Sequence, residues 1–187
     1  MGVTKVIENP FSGEQFRFLP GARDAPGGWF RMEVTARAGV VSPPRHIHRR
    51  EQECFEVLDG EVTVLAGRDT VLLRAGDTCQ IPPGQAHTWR NSGEGPARMI
   101  VEFRPAGAMQ SFFETFCGLA REGACDDRGQ PPLLQVAASM PLWQMYLAAP
   151  PVPLQRLAMT VLRPLARARG YRPRYPRFET PAPEQPV

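Results

Sequence analysis

The chain has 187 residues, of which 42% are apolar and 22% charged, and a net charge of +3. That length suits one domain with appendages rather than two full domains. The charge is too slight to imply a nucleic-acid partner, and no apolar run is long enough to span a bilayer.

The opening stretch MGVTKVIENPFSGEQF lacks an apolar core, so no signal peptide is expected. Cys54, Cys79, Cys117 and Cys125 form no C-x-x-C pair and are too few for a disulfide scaffold. A reducing cytoplasm is therefore the expected location. The cysteines on strands read as small hydrophobes.

Glu8 to Gly13 is a turn cluster, followed by a short strand from Glu14 to Leu19 and a loop from Pro20 to Gly28. Trp29 to Ala38 alternates, with Phe30, Met32, Val34 and Ala36 on one face. This is the pattern of a half-buried antiparallel strand. Arg49 to Gln52 reads as a turn, and a strand beginning at Glu53 puts Glu53, Phe55 and Val57 on one face. Asp59-Gly60 is a tight-turn dipeptide, which makes Glu61 to Ala66 a returning strand. A turn at Arg68-Asp69, a strand from Thr70 to Leu73 and a turn at Ala75 to Asp77 follow. Thr78 to Ile81 is a short strand, Pro82-Pro83-Gly84 a rigid bend, and His87 to Asn91 the next strand. Arg98 to Arg104 alternates again until Pro105. Strands at this spacing with Gly/Pro turns predict a mainly β fold, a sandwich or barrel.

Beyond Pro105 the period becomes helical. Met109, Phe112, Phe113, Phe116 and Leu119 mark a helix from about Ala108 to Arg121, with Gly123 as its stop. A second helix is expected from Pro131-Pro132 to Leu147, interrupted at Pro141, and a third from Val152 to Arg169. The third carries Leu154, Leu157, Val161, Leu162 and Leu165. These helices are expected to cover the barrel or to pack against a second copy. Arginines recur from Arg156 to Arg177 without an acid, which reads as a solvated face broken by prolines. Thr180 to Val187 is Pro-rich and expected to be disordered. The domains expected are 1–105, a helical extension 106–170 and a tail 171–187.

All the histidines, His46, His48 and His87, fall between Gly39 and Asn91. The spacings are G-x6-H-x-H-x4-E-x6-G from Gly39 to Gly60, and G-x5-P-x-G-x2-H-x3-N from Gly76 to Asn91. Residues two apart on a strand share a face, so His46 and His48 point the same way, and Glu53 can join them on an inner, mostly apolar wall.

These two motifs resemble the paired signatures of the cupin superfamily, small jelly-roll β-barrels. The second fits at each defined position. In the first, the lead glycine sits one residue further from the histidine pair than usual, and the histidine-to-glutamate gap is the longer of the common spacings. The resemblance covers roughly residues 14 to 105. It implies that His46, His48, Glu53 and His87 bind one divalent metal ion, iron, manganese, nickel, cobalt or zinc, between which these donors do not choose. Four such ligands on an octahedral ion leave open positions, unlike a closed structural zinc site.

The wall of the pocket is expected from Phe55 and Trp89, with Met32, Val101 and Phe103 on the same inner face. A partly apolar small-molecule substrate follows. Similarity to quercetin-dioxygenase-like small cupins implies a metal-dependent oxidoreductase, and Glu53, as the single carboxylate of the set, is the candidate general base. An isomerase, epimerase or cyclase uses the same ion without oxygen, and a small-molecule-binding barrel uses no chemistry. The resemblance further implies a homodimer, and the slight charge and short apolar runs leave neither nucleic acid nor membrane as an expected partner.

Overall fold

Alternation in short segments, punctuated by Gly and Pro, builds two facing antiparallel sheets. The structure, a computed structural model, describes residues 5–20 and 28–179. Most of the expected 20–28 loop, and the Pro-rich end from Thr180, lie outside those residues. The strands are β1 (Val6–Glu8), β2 (Gln15–Phe18), β3 (Phe30–Ala36), β4 (Val41–His48), β5 (Gln52–Asp59), β6 (Glu61–Ala66), β7 (Asp69–Arg74), β8 (Thr78–Ile81), β9 (His87–Asn91) and β10 (Ala97–Arg104). Helices α1 (Met109–Arg121) and α2 (Leu133–Trp143) follow, then β11 (Met145–Leu147) and α3 (Val152–Ala168). One sheet runs β1-β2-β3-β10-β5-β8 and the other β11-β4-β9-β6-β7.

The layout is jelly-roll-like and mainly β with helices after the strands, but the expected barrel is not closed: no ladder joins one sheet to the other among the described residues. Two layers bury their apolar faces against each other without closure. Phe30, Met32, Val34, Phe55, Val57, Val62, Val64, Met99 and Val101 fill the space between them. The Asp59-Gly60 turn shows the difference. It does not return β6 beside β5; it carries the chain from one sheet to the other, where β6 pairs with β7 and β9. Gly60 has φ 79°, and a Cβ there would stand 2.8 Å from the Pro96 carbonyl oxygen, so the corner requires glycine.

Helix α1 covers the sandwich as its period implies. Met109 is buried in the core, and Phe113 meets Phe16 at 5.0 Å and Phe103 at 6.2 Å between ring centroids. The other side of α1 packs on the first part of the tail, where Tyr175 and Phe178 are buried with Leu119. Lys5, the chain's single lysine, lies 3.3 Å from Glu114 of α1 and also donates to the Phe178 carbonyl.

The second helix differs from expectation. Pro141 lies within α2 rather than interrupting it, and the helix ends where Gln144 turns left-handed at φ 53°. The residues beyond it are a strand, β11, which pairs with β4. On α3 the apolar stripe faces outward: Leu154, Leu157 and Val161 are 55%, 62% and 69% exposed. Its packing face is made by Ala166, with Met159 and Leu162 of the same helix beside it, against Ala137 and Ala138 of α2, whose small side chains allow close approach of the axes. No described helix is long and apolar enough to cross a membrane.

Candidate metal centre

Strand alternation sends His46 and His48 of β4 inward together, and both rings are buried. His87, the first residue of β9, lies directly opposite His46 in the β4–β9 ladder. The bend before it is tied to the same strand, because Gly84 N–H donates to the His48 carbonyl at 2.7 Å. Glu53 reaches in from β5 of the other sheet. The four side chains offer ligand atoms that all lie within 4.8 Å of one another. Asn91, the last residue of the second motif, does not join them. Its amide donates to the carbonyls of Ala36 and Gly95 and braces the end of the strand.

Hydrogen bonds on the far side of the rings orient them. His46 Nδ1 lies 3.1 Å from the Pro44 carbonyl and His87 Nδ1 3.0 Å from that of Gln85. A carbonyl only accepts, so each ring carries its proton on Nδ1 and turns the Nε2 lone pair to the centre. There His46 Nε2 faces His48 Nε2 at 2.9 Å, His87 Nε2 faces Glu53 Oε2 at 2.7 Å, and His48 Nε2 lies 3.2 Å from the same oxygen. With the His87 proton on Nδ1, the His87–Glu53 contact joins two acceptors and needs either an extra proton or a cation between them. The donor set, imidazole nitrogen with one carboxylate, suits a first-row divalent ion.

The electrostatics follow. Burial pushes the His46 pKa down to about 3, with the neighbouring His48 and His87 adding to it and Glu53 opposing. For Glu53, burial favours the neutral acid, but hydrogen bonds to His48 and His87 and their charge outweigh it and hold the carboxyl below its ordinary range. For His87, burial lowers the pKa, and the hydrogen bond and charge of Glu53 reverse that to a net rise.

A cavity of about 470 Å³ opens onto His46, His48 and Glu53, while His87 sits behind them. Of the wall residues expected from the sequence, Met32, Trp89, Val101 and Phe103 line it. Phe55 does not: it is fully buried between the sheets. Much of the wall comes from residues the strand pattern did not indicate, including Phe112 and Phe113 of α1, Met140 and Trp143 of α2, and Met145 and Tyr146 beside them. In the β11–β4 ladder Met145 stands opposite His48 and Leu147 opposite His46, so this wall is stitched to the strand that carries two of the candidate ligands. Helical periodicity marked α1, but nothing in the Gln144–Leu147 sequence signals a strand.

Residues 32–103 match the cupin domain family. This segment is a cupin domain. It runs from β3 to β10 and holds all four residues of the cluster, whereas α1, α2 and β11 are additions to it. Solved structures similar to the chain include KdgF from Halomonas sp., 21% identical, covering 53% of this chain and 84% of that one, with a TM-score of 0.47. A sugar phosphate isomerase of the cupin superfamily from Silicibacter pomeroyi is 18% identical, with 55% and 71% covered and a TM-score of 0.48. An RmlC-like cupin from Shewanella frigidimarina is 22% identical, with 56% and 86% covered and a TM-score of 0.47. A comparison with curated protein sequences finds no match.

Proposed function

We propose that this protein is a metal-dependent enzyme of dioxygenase type acting on a small, largely apolar organic compound that presents oxygen atoms to the ion. The observation that carries this reading is the convergence of His46, His48 and Glu53, with His87 behind, at an apolar cavity large enough for such a molecule. A divalent ion held by these residues would polarise the oxygen atoms of the substrate and, in a dioxygenase, bring dioxygen to it. The chain's own part is separate. Phe103, Phe113, Met32 and Met140 exclude water from the cavity and orient an apolar body. Glu53, the single carboxylate of the cluster, would serve as a general base once released from the His48 and His87 contacts that hold its carboxyl below its ordinary range.

A second reading is favoured by the Glu53–His87 pair at 2.7 Å. A carboxylate backed by an imidazole moves a proton between neighbouring atoms of a substrate, as an isomerase, epimerase or cyclase requires, and uses no oxygen. A third class, a binding domain without turnover, keeps the cavity and lacks the proton step. Elemental analysis of untagged protein, with His48→Ala as control, tests for the ion. Oxygen-uptake screening against flavonols, enediols and catechols then separates the classes. The dioxygenase reading expects substrate-dependent oxygen consumption, and turnover without it would sink that reading in favour of the isomerase.

A further inference from the structure

Leu154, Leu157, Val161 and Leu165 follow one another at three- and four-residue steps along α3, and all stand in solvent, between 45% and 69% exposed. Such a stripe ordinarily packs on its own fold. It does not do so here, because α3 is fixed by another side. Ala166, Met159 and Leu162 pack on α2, and the buried Gln155 side chain accepts from the Leu147 N–H at 3.1 Å and donates to the Leu147 carbonyl at 2.9 Å. A contiguous apolar stripe held in water marks a surface that another body covers.

Charge indicates which body. Residues 131–178 hold seven arginines and no acid, so the small net charge of the whole chain conceals a basic extension on a net acidic remainder. Arg174 and Arg177 pair with Glu179 and Glu122. Arg156, Arg163, Arg167, Arg169 and Arg172 have no ion pair among the described residues. By helical period Arg156, Arg163 and Arg167 share the side of α3 away from the stripe. A helix is about 10 Å across, so these charges stand within about a Debye length of whatever the stripe enters. A second copy set stripe to stripe would bring two basic extensions together, which their like charge opposes. A protein groove that wraps a helix would need the side already taken by α2. A flat anionic surface needs one side only.

We infer that α3 is a peripheral membrane anchor: Leu154, Leu157, Val161 and Leu165 enter the boundary between headgroups and acyl chains of an anionic bilayer, and the arginines are drawn to its negative headgroups. The net charge and the lack of a spanning run, which left a membrane unexpected, describe neither the stripe nor the segregated charge. The inference goes beyond the proposed activity and rests on neither the ion nor the cavity.

Sedimentation of the full-length protein with sucrose-loaded vesicles tests it, one set of phosphatidylcholine alone and one of equal parts phosphatidylcholine and phosphatidylglycerol. Partition onto the anionic vesicles should exceed that onto the neutral ones by about tenfold and should fall as salt is added. The double variant Leu157→Ser, Val161→Ser should lose about tenfold of that binding. Arg156→Gln combined with Arg167→Gln should lose about as much on the anionic vesicles alone, while Arg74→Gln, on β7, leaves it unchanged. All these side chains are exposed, and circular dichroism checks that each variant is folded. Absence of binding to both vesicles, equal binding to the two, or binding that neither double variant reduces overturns the inference. So does a concentration-dependent dimer without vesicle binding that Leu157→Ser, Val161→Ser converts to monomer, since the stripe would then belong to a second copy.

Discussion

His87 Nε2 and Glu53 Oε2 meet at 2.7 Å although β9 and β5 belong to different sheets. The contact clasps the two layers at the site, and it makes the site sensitive to protons. The pKa of His87 is raised, so this ring holds its second proton to higher pH than a free imidazole, whereas His46, lowered to about 3, is already neutral. An incoming ion has the raised proton of His87 to displace. Apparent metal affinity should be level above the raised pKa of His87 and fall by about tenfold per pH unit below it. Competition titrations with a chelating dye from pH 9 to 6 check this. A flat profile across that range contradicts the assignment of His87 as a ligand.

The same residues set the acid stability of the metal-free protein. The folded state refuses His46 a proton that the unfolded chain accepts near 6.5, so stability is present above that value and is lost as pH falls toward about 3. Glu53, depressed below its ordinary 4.5, loses its contribution in the same direction at lower pH. His87 acts oppositely: its contribution is complete below 6.5 and is lost as pH rises through its raised folded value. Thermal denaturation in chelator should therefore show a maximum near neutrality. His46→Gln should flatten the decline between pH 6.5 and 4.5, because the group that resists protonation there is gone. An acid limb of unaltered steepness in that variant would remove burial of His46 as its cause.

The strands that carry the site were legible because they alternate: β3 and β5 bury every second residue, β10 does so with Ile100 buried as well, and the two motifs bring their ligand residues inward by that period. What escaped was pairing between distant segments. Asp59-Gly60 reads equally well as a hairpin or as a corner between sheets, since the dipeptide fixes only the local turn. The strand at Met145–Leu147 is short, follows a helix that tolerates Pro141, and begins after a left-handed glutamine, where glycine or asparagine would have been the usual signal. The outward stripe of α3 matched helical periodicity, yet period alone does not tell a face that packs from one that faces solvent. Phe55 shares the face of Glu53 but lies too deep between the sheets to reach the cavity.

The corner at Gly60 gives a direct test of the two-sheet topology. At φ 79°, with the Pro96 carbonyl 2.8 Å and the Ala97 Cα 2.9 Å from a virtual Cβ, the obstruction on β10's side is backbone and has no rotamer to change. Gly60→Ala is expected to destabilise the protein by about 2 kcal/mol or more, measured by urea denaturation. A simple exposed hairpin turn would tolerate the change at a smaller cost.

Ligation can be read through stability without any substrate. An ion that binds the folded but not the unfolded chain stabilises by a logarithm of its concentration over its dissociation constant, about 2.7 kcal/mol at a hundredfold excess. Titrating chelator-treated protein with zinc, iron(II), manganese, cobalt or nickel should raise Tm, most for the ion held most tightly. His48→Ala removes one donor and should abolish most of that rise at the same ion concentration. Leu157→Ser, at a position 62% exposed on α3 and outside the cluster, should leave both the stability and the rise intact. Equal rises in all three proteins would mean that the ions bind elsewhere, and the four inward side chains would then be a proton-sharing network rather than a metal centre.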